Sequence, residues 1–198
     1  MTDIDQLTST ETLSAVIARS GHCPIVFTTG YTCRRAFAIG DAPNHFYMVG
    51  SMGLACAIGC GLALARADVT VVVVDGDGSL LMNPANSFFL GAYGLDNVHH
   101  LVLDNGAYAS TGNQPTNSGS VRFPVLADAL GYRDIATVTD AGELTERLTK
   151  INDTPGRGAA FTYCPVADDG VPGGRIDISL PDLATRMTSW LGSSARRP

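Results

Sequence analysis

Residues Val69–Asn105 begin V-T-V-V-V-V-D-G-D-G-S-L-L-M-N-P and end H-H-L-V-L-D-N, with one helix's worth of chain between. The run Val69–Val74 is β-branched throughout, which predicts a strand with both sheet faces covered by helices. It stops in the turn Gly76-Asp77-Gly78-Ser79. A second apolar run, Leu101–Leu103, stops in Asp104-Asn105-Gly106. Two neighbouring parallel strands would bring Asp77 and Asn105 side by side at their carboxyl ends. Two hard oxygen donors beside a glycine-rich turn suit Mg²⁺ or Ca²⁺ carrying a diphosphate.

Outward from this stretch, strand and helix patterns alternate. Ile4–Arg19 is expected as a surface helix and Ile25–Phe27 as a buried strand. Tyr31–Arg35 opens a helix. Phe46–Val49 is extended and leads to the turn Gly50–Gly53. Leu54–Arg66 is a helix rich in Ala, Gly and Cys, small enough on every face to pack on the sheet and against another subunit. Pro84 fits the first turn of a helix to about Tyr93. Residues 106–122 form a polar loop, either a lid or substrate segment or a stretch without order. Phe123–Leu130 is helical and Ile135–Val138 a strand. Asp140 with Glu143 starts a helix to Ile151. Ala159–Tyr163 is the last strand, Val166–Gly174 a linker, Pro181–Leu191 a terminal helix, and the tail after it frays. The fold class is therefore α/β, a doubly wound parallel sheet with helices on both faces. Ligands in such sheets sit at the carboxyl ends of the strands. Thr28, Thr29 and Gly30, then Gly50, Ser51 and Met52, then Gly76–Ser79, then Asn105 and Ala107 all fall on that rim.

A length of 198 residues fits a single domain, with a core over about 20–165 and a linker and helix over 166–198. The net charge of −6 and the pI near 5.0 disfavour a nucleic-acid or anionic-membrane surface. The acidic start M-T-D-I-D-Q is no secretory signal, and Met52–Ala65 is too short to span a bilayer. Five cysteines without C-x-x-C fit a reduced, cytoplasmic protein, with Cys56 and Cys60 as core residues. Lys150 is the only lysine, in an amphipathic helical pattern, which argues against Schiff-base chemistry. His45, His99 and His100 are read as structural.

There is no G-x-G-x-x-G after a strand and no P-loop. G-D-G-S, followed 27 positions after Gly78 by Asn105, resembles the thiamine-diphosphate signature. That resemblance implies Mg²⁺ on the side chains of Asp77 and Asn105 and the carbonyl of Ala107. It puts Gly76, Gly78, Ser79 and Tyr108 at the cofactor. The alternative is a sharp turn in which Asp77 only caps the next helix. F-Y-M-V-G-S-M-G resembles the segment that grips the aminopyrimidine. The Gly50 carbonyl would take the 4′-amino group and Met52 would wedge the cofactor into its bent form, or Met52 is ordinary core. T-T-G-Y-T-C-R-R, A-S-T-G-N-Q-P-T and G-G-R-I-D-I-S-L-P resemble the sulfopyruvate and phosphonopyruvate decarboxylases. That family commonly has T-S-R-E where this chain has Thr32-Cys33-Arg34-Arg35, so an acid has become Arg35.

Thiamine enzymes need a glutamate on the pyrimidine N1′. Glu11, Glu143 and Glu146 are the only glutamates here and lie in segments away from the rim. The resemblance then implies a split enzyme, at least α₂β₂. This chain would be the diphosphate-binding subunit, and a pyrimidine-binding-domain subunit would supply the glutamate. The substrate would be a small anionic 2-oxo acid, 3-phosphonopyruvate or 3-sulfopyruvate, met by Arg34, Ser110, Thr111 and Gln114, with Arg35 as a further candidate. A carboligase or other 2-oxo-acid decarboxylase, and a non-catalytic cofactor-binding scaffold, are the competing readings.

Overall fold

The computed structural model describes residues 6–153, 158–167 and 169–194. The chain runs α1 (Ser9–Arg19), β1 (Ile25–Phe27), α2 (Tyr31–Ile39), β2 (His45–Tyr47), α3 (Ala55–Ala65) and β3 (Val71–Gly76). It continues with α4 (Asp77–Met82), α5 (Phe88–Ala92), β4 (Val98–Asp104), β5 (Ala107–Tyr108) and β6 (Gln114–Pro115). Last come α6 (Phe123–Ala129), β7 (Asp134–Thr137), α7 (Ala141–Asp153), β8 (Ala160–Pro165) and α8 (Leu180–Ser194).

Six parallel strands form one sheet in the order β2-β1-β3-β4-β8-β7, and β5 pairs antiparallel with β6 beside it. The valine strand lies near the centre, and alternate residues feed two cores. Val72, Val74, Leu101 and Leu103 pack with Leu13, Leu144 and Leu183 on one face. Val71, Val73 and Val102 pack with Cys56, Leu90 and Phe123 on the other. Burial on both faces is why the strand carries no polar alternation. On α3, a Cβ at Gly59 would overlap the Val73 side chain, so the small residues let helix and sheet meet closely.

Four boundaries differ from the sequence reading, each for a local reason. The first helix begins at Ser9, and Ile4 lies outside the described residues, as does the tail 195–198. Thr8 caps α1: its hydroxyl accepts from Glu11 N at 3.2 Å, and Glu11 accepts from Thr8 N at 2.9 Å. Thr8 itself is extended and forms a bridge with Ala167. Thr8→Ala should therefore cost about 1 kcal/mol, a melting temperature lower by roughly 2–4 °C in a thermal scan. Second, Gly76-Asp77-Gly78-Ser79 is not a free turn: the chain passes from β3 straight into α4. Asn83 then leaves the helical region (φ −153°, ψ 70°) before Pro84, whose ring disfavours helical backbone in the preceding residue, and the expected helix over 84–93 is a 3₁₀ turn followed by the short α5.

Third, β4 is longer than its apolar run because His99 and His100 are buried within it. His99 Nε2 meets the Thr162 hydroxyl at 2.9 Å, and His100 Nδ1 meets the Tyr132 hydroxyl at 2.5 Å. Fourth, residues 106–122 are ordered, as the β5–β6 hairpin and a 3₁₀ turn at Ser118–Ser120.

Beyond β8 the chain folds back over α1 and α2. Ala167 N donates to Leu7 O at 2.8 Å. Arg34 donates to the carbonyls of Pro172, Gly173 and Gly174. Arg35 pairs with Asp169 at 2.8 Å and donates to Gly170 O at 2.7 Å. Two consecutive arginines thus fasten residues 169–174 to α2. Among the described residues no helix is long and apolar enough to cross a membrane.

Candidate functional site

The strand order 2-1-3 reverses direction between β1 and β3. At that switch point the connections leave on opposite faces, and a crevice opens at the carboxyl ends. Because all six strands are parallel, segments 28–30, 50–52, 76–79 and 105–107 open onto one rim. A cleft there is lined by Thr28, Thr29, Met52, Gly76–Ser79, Asn105, Ala107, Tyr108, Ser110 and Thr111.

Side-chain hydrogen bonds fix the rim. Ser79 Oγ lies 3.0 Å from Thr28 Oγ1 and accepts from Gly53 N at 3.0 Å. Thr29 Oγ1 accepts from Gly50 N at 2.9 Å. Gly50 and Ser51 both have left-handed backbone, φ 71° and 57°, which turns the Gly50–Gly53 segment sharply toward the cleft. A non-glycine residue held there is strained, and the bonds from Thr29 and Ser79 hold it. Gly78 is glycine for space: a Cβ would run into the Tyr108 ring and come within 3.0 Å of the Thr116 methyl. Tyr108 therefore lies directly over the start of α4.

Asp77 is 2% exposed. Its carboxyl is pushed up to about 6, first by burial and then by the nearby Asp104, against the lowering effect of the Thr116 hydroxyl. Asp104 accepts from Gly106 N at 2.9 Å and from the Tyr163 hydroxyl at 2.7 Å. Asn105 Oδ1 accepts from Ala107 N at 3.2 Å. A buried carboxylate crowded by a second one is a place where a cation relieves repulsion. The donors are a carboxylate, an amide oxygen and a backbone carbonyl, with no cluster of three or more His, Cys, Asp or Glu among the described residues. That set suits a hard cation rather than zinc. The residues fit a divalent ion with an attached anion.

Several expected residues lie elsewhere. Arg34 does not line the cleft; its fork is spent on the carbonyls of 172–174. Gln114 is exposed on the hairpin and accepts from the Thr111 hydroxyl. Arg35 and Asp169 do line the cleft, but as a closed ion pair. None of the three glutamates does: Glu11 and Glu143 serve as helix caps, and Glu146 is exposed on α7. Sequence reasoning missed Asp104 and Asp169, and took Thr116 only as part of the Ser110–Thr116 substrate loop, not as a partner of Asp77. Asp104 stood in the quoted motif and could have been found there. The partners of Thr116 and Asp169 are distant in sequence and left no local signal.

Residues 28–161 match the family described as thiamine pyrophosphate enzyme, C-terminal TPP binding domain. The chain is 41% identical to a phosphonopyruvate decarboxylase of Streptomyces viridochromogenes over 84% of its own length and 42% of that protein. It thus spans less than half the length of that relative. It is 33% identical to the sulfopyruvate decarboxylase subunit beta of Methanothermobacter thermautotrophicus, over 82% of this chain and 84% of the subunit. A solved thiamine diphosphate-dependent 4-hydroxybenzoylformate decarboxylase from Rhodococcus jostii shares the fold, with a TM-score of 0.71 at 18% identity over 85% of this chain and 34% of that one. The parallel sheet and these matches agree: the chain belongs to the thiamine pyrophosphate enzymes, as their C-terminal TPP-binding domain, and is a relative of phosphonopyruvate and sulfopyruvate decarboxylases.

Proposed function

We propose that this chain is the diphosphate- and Mg²⁺-binding subunit of a split, thiamine-diphosphate-dependent decarboxylase of 3-phosphonopyruvate or 3-sulfopyruvate. The observation that carries the proposal is a cation-ready rim, Asp77 with Asn105 and Ala107, whose cleft lining holds no glutamate, in a chain that covers 84% of a relative named a subunit beta. The chain acts as one diphosphate-binding domain, in the cytoplasm, where its five free, buried cysteines suit a reducing medium.

Asp77, Asn105 and the Ala107 carbonyl would hold Mg²⁺. Thr28, Thr29, Gly78 and Ser79 would shape the floor for the diphosphate, with Gly30 behind them against Ser110, and Tyr108 closes over Gly78. The Gly50 carbonyl and Met52 would orient the aminopyrimidine, with Ser51 setting the turn. When bound, thiamine diphosphate supplies the electron sink that lets CO₂ leave a 2-oxo acid. This chain's part is to position, exclude water and place charge. Ser110 and Thr111, on the hairpin, face the substrate side. Gln114 and Arg34 would reach substrate only if the hairpin or the 169–174 segment moved.

The partner supplies the N1′ glutamate. Val49 is 64% exposed and Leu54 39% exposed, flanking Met52 at the mouth, which suits coverage by another subunit. The smallest assembly is α₂β₂.

The test is CO₂ release from 3-sulfopyruvate, 3-phosphonopyruvate and pyruvate with thiamine diphosphate and Mg²⁺. It uses this chain alone and mixed with a pyrimidine-domain subunit. The expected result is turnover only in the mixture, with one substituted acid preferred over pyruvate. Full turnover by this chain alone would overturn the split-enzyme reading. A carbon–carbon ligation product from pyruvate would assign a carboligase instead.

A further inference from the structure

We propose that Thr116 is a positioning residue for the divalent ion: one side chain and its own N–H hold both halves of the cation site in register. The inference rests on the cofactor reading above and adds a residue to it.

The proposed ligands come from two separate segments. Asp77 opens α4 after β3, while Asn105 and Ala107 follow β4. Strand pairing aligns Gly76 with Leu103, so the register ends before any of the ligands. Something beyond the sheet must set the gap between them. Thr116 does so from the far side of the hairpin. Its hydroxyl donates to Asp77 Oδ2. Its N–H donates to the carbonyl of Gly106, the residue between Asn105 and Ala107, at 2.9 Å. Its methyl rests against Gly78.

The hydroxyl has its own orientation fixed. Ser118 N donates to Thr116 Oγ1 at 3.4 Å, which leaves the hydroxyl proton for the carboxylate. Asp77 Oδ2 thus spends one lone pair on Thr116, and the carboxylate keeps its remaining lone pairs for an ion. The β5–β6 pairing of Ala107 with Pro115 places Thr116 next to the ligand-bearing backbone. Partners of this kind, one step removed from the ion, typically change metal affinity about 10- to 100-fold when removed.

The two ions differ in what they tolerate. Mg²⁺ requires near-octahedral geometry at short distances, whereas Ca²⁺ accepts irregular shells. A loosened Asp77 should therefore harm Mg²⁺ more than Ca²⁺. A residue important only for folding would weaken both equally or neither.

The experiment is calorimetric titration of thiamine diphosphate with Mg²⁺, and separately with Ca²⁺, into the full chain mixed with its pyrimidine-domain subunit. It compares wild type, Thr116→Val and Thr116→Ser. Valine keeps the methyl and the N–H and removes the hydroxyl; serine keeps the hydroxyl. We expect Thr116→Val to raise the apparent Mg²⁺ dissociation constant about 10- to 100-fold. The Ca²⁺ constant should rise less, and Thr116→Ser should stay near wild type. A thermal scan without ligand confirms that each variant is folded. Equal constants for wild type and Thr116→Val, or parallel shifts for both ions, would overturn the role of Thr116. Absence of binding by wild type would instead overturn the cofactor reading itself.

Discussion

Replacing Asp77 by asparagine should abolish Mg²⁺-dependent binding of thiamine diphosphate while making the cofactor-free chain more stable. The two effects have one origin. Asp77 is buried, its carboxyl is raised to about 6, and Asp104 sits close by. At neutral pH the folded protein holds a desolvated negative charge beside another. Asparagine keeps the shape and can still accept from the Thr116 hydroxyl, but carries no charge. Because the carboxyl is raised on folding, its ionised form at neutral pH works against the fold, and removing that charge stabilises by roughly 1–3 kcal/mol. Bound to a divalent ion, the same charge becomes the strongest attraction in the site. Its loss should weaken binding about a thousandfold, ~4 kcal/mol. A thermal scan with and without Mg²⁺ and the cofactor reads both: a higher melting temperature without ligand, and no further rise with it. A chain that still binds within about tenfold of wild type would remove Asp77 from the ion.

Arg35→Glu should be the most damaging single change away from the rim. The glutamate would match the T-S-R-E pattern that this segment resembles, yet here it would face Asp169. Arg35 now gives Asp169 an ion pair at 2.8 Å, the Thr10 hydroxyl a hydrogen bond at 3.0 Å, and Gly170 O another at 2.7 Å. The glutamate would set two carboxylates and a carbonyl together in a site where Arg35 is 8% exposed. Breaking a buried pair in this way costs about 3–5 kcal/mol, a melting temperature lower by roughly 10 °C. The reversed pair, Arg35→Glu with Asp169→Arg, should recover part of the loss, with a coupling of about 1–3 kcal/mol in a double-mutant cycle. Strictly additive losses would mean that the two residues do not interact. In this chain, then, the departure at Arg35 is answered by a carboxylate in the returning segment.

The valine run and the two motifs closing β3 and β4 were readable because parallel strands put consecutive carboxyl ends on one rim. Proximity along the sheet follows from the order of elements alone. Thr116 and Asp169 were not readable. Their partners, Asp77 and Arg35, lie across a hairpin and across the whole chain, and polar residues in loops look alike until the fold is known. The helix break at Asn83 was available in principle, since Pro84 restricts the residue before it. The start of the first helix was too: Thr8 and Glu11 have the spacing of a capping box, but apolar residues upstream obscured it.

The fastening of the returning segment also has a consequence in time. Asp169 accepts from Thr10 N at 2.7 Å, and the two residues are 159 positions apart in the chain. At about 5–20 residues per second, synthesis would deliver Asp169 roughly 8–30 seconds after Thr10. During most of that interval α1 has α2 for company, before α7 and then the segment that completes its cover arrive. The apolar side of the first helix, Leu13 and Val16, is thus a surface of the nascent chain that is fully covered only late in synthesis.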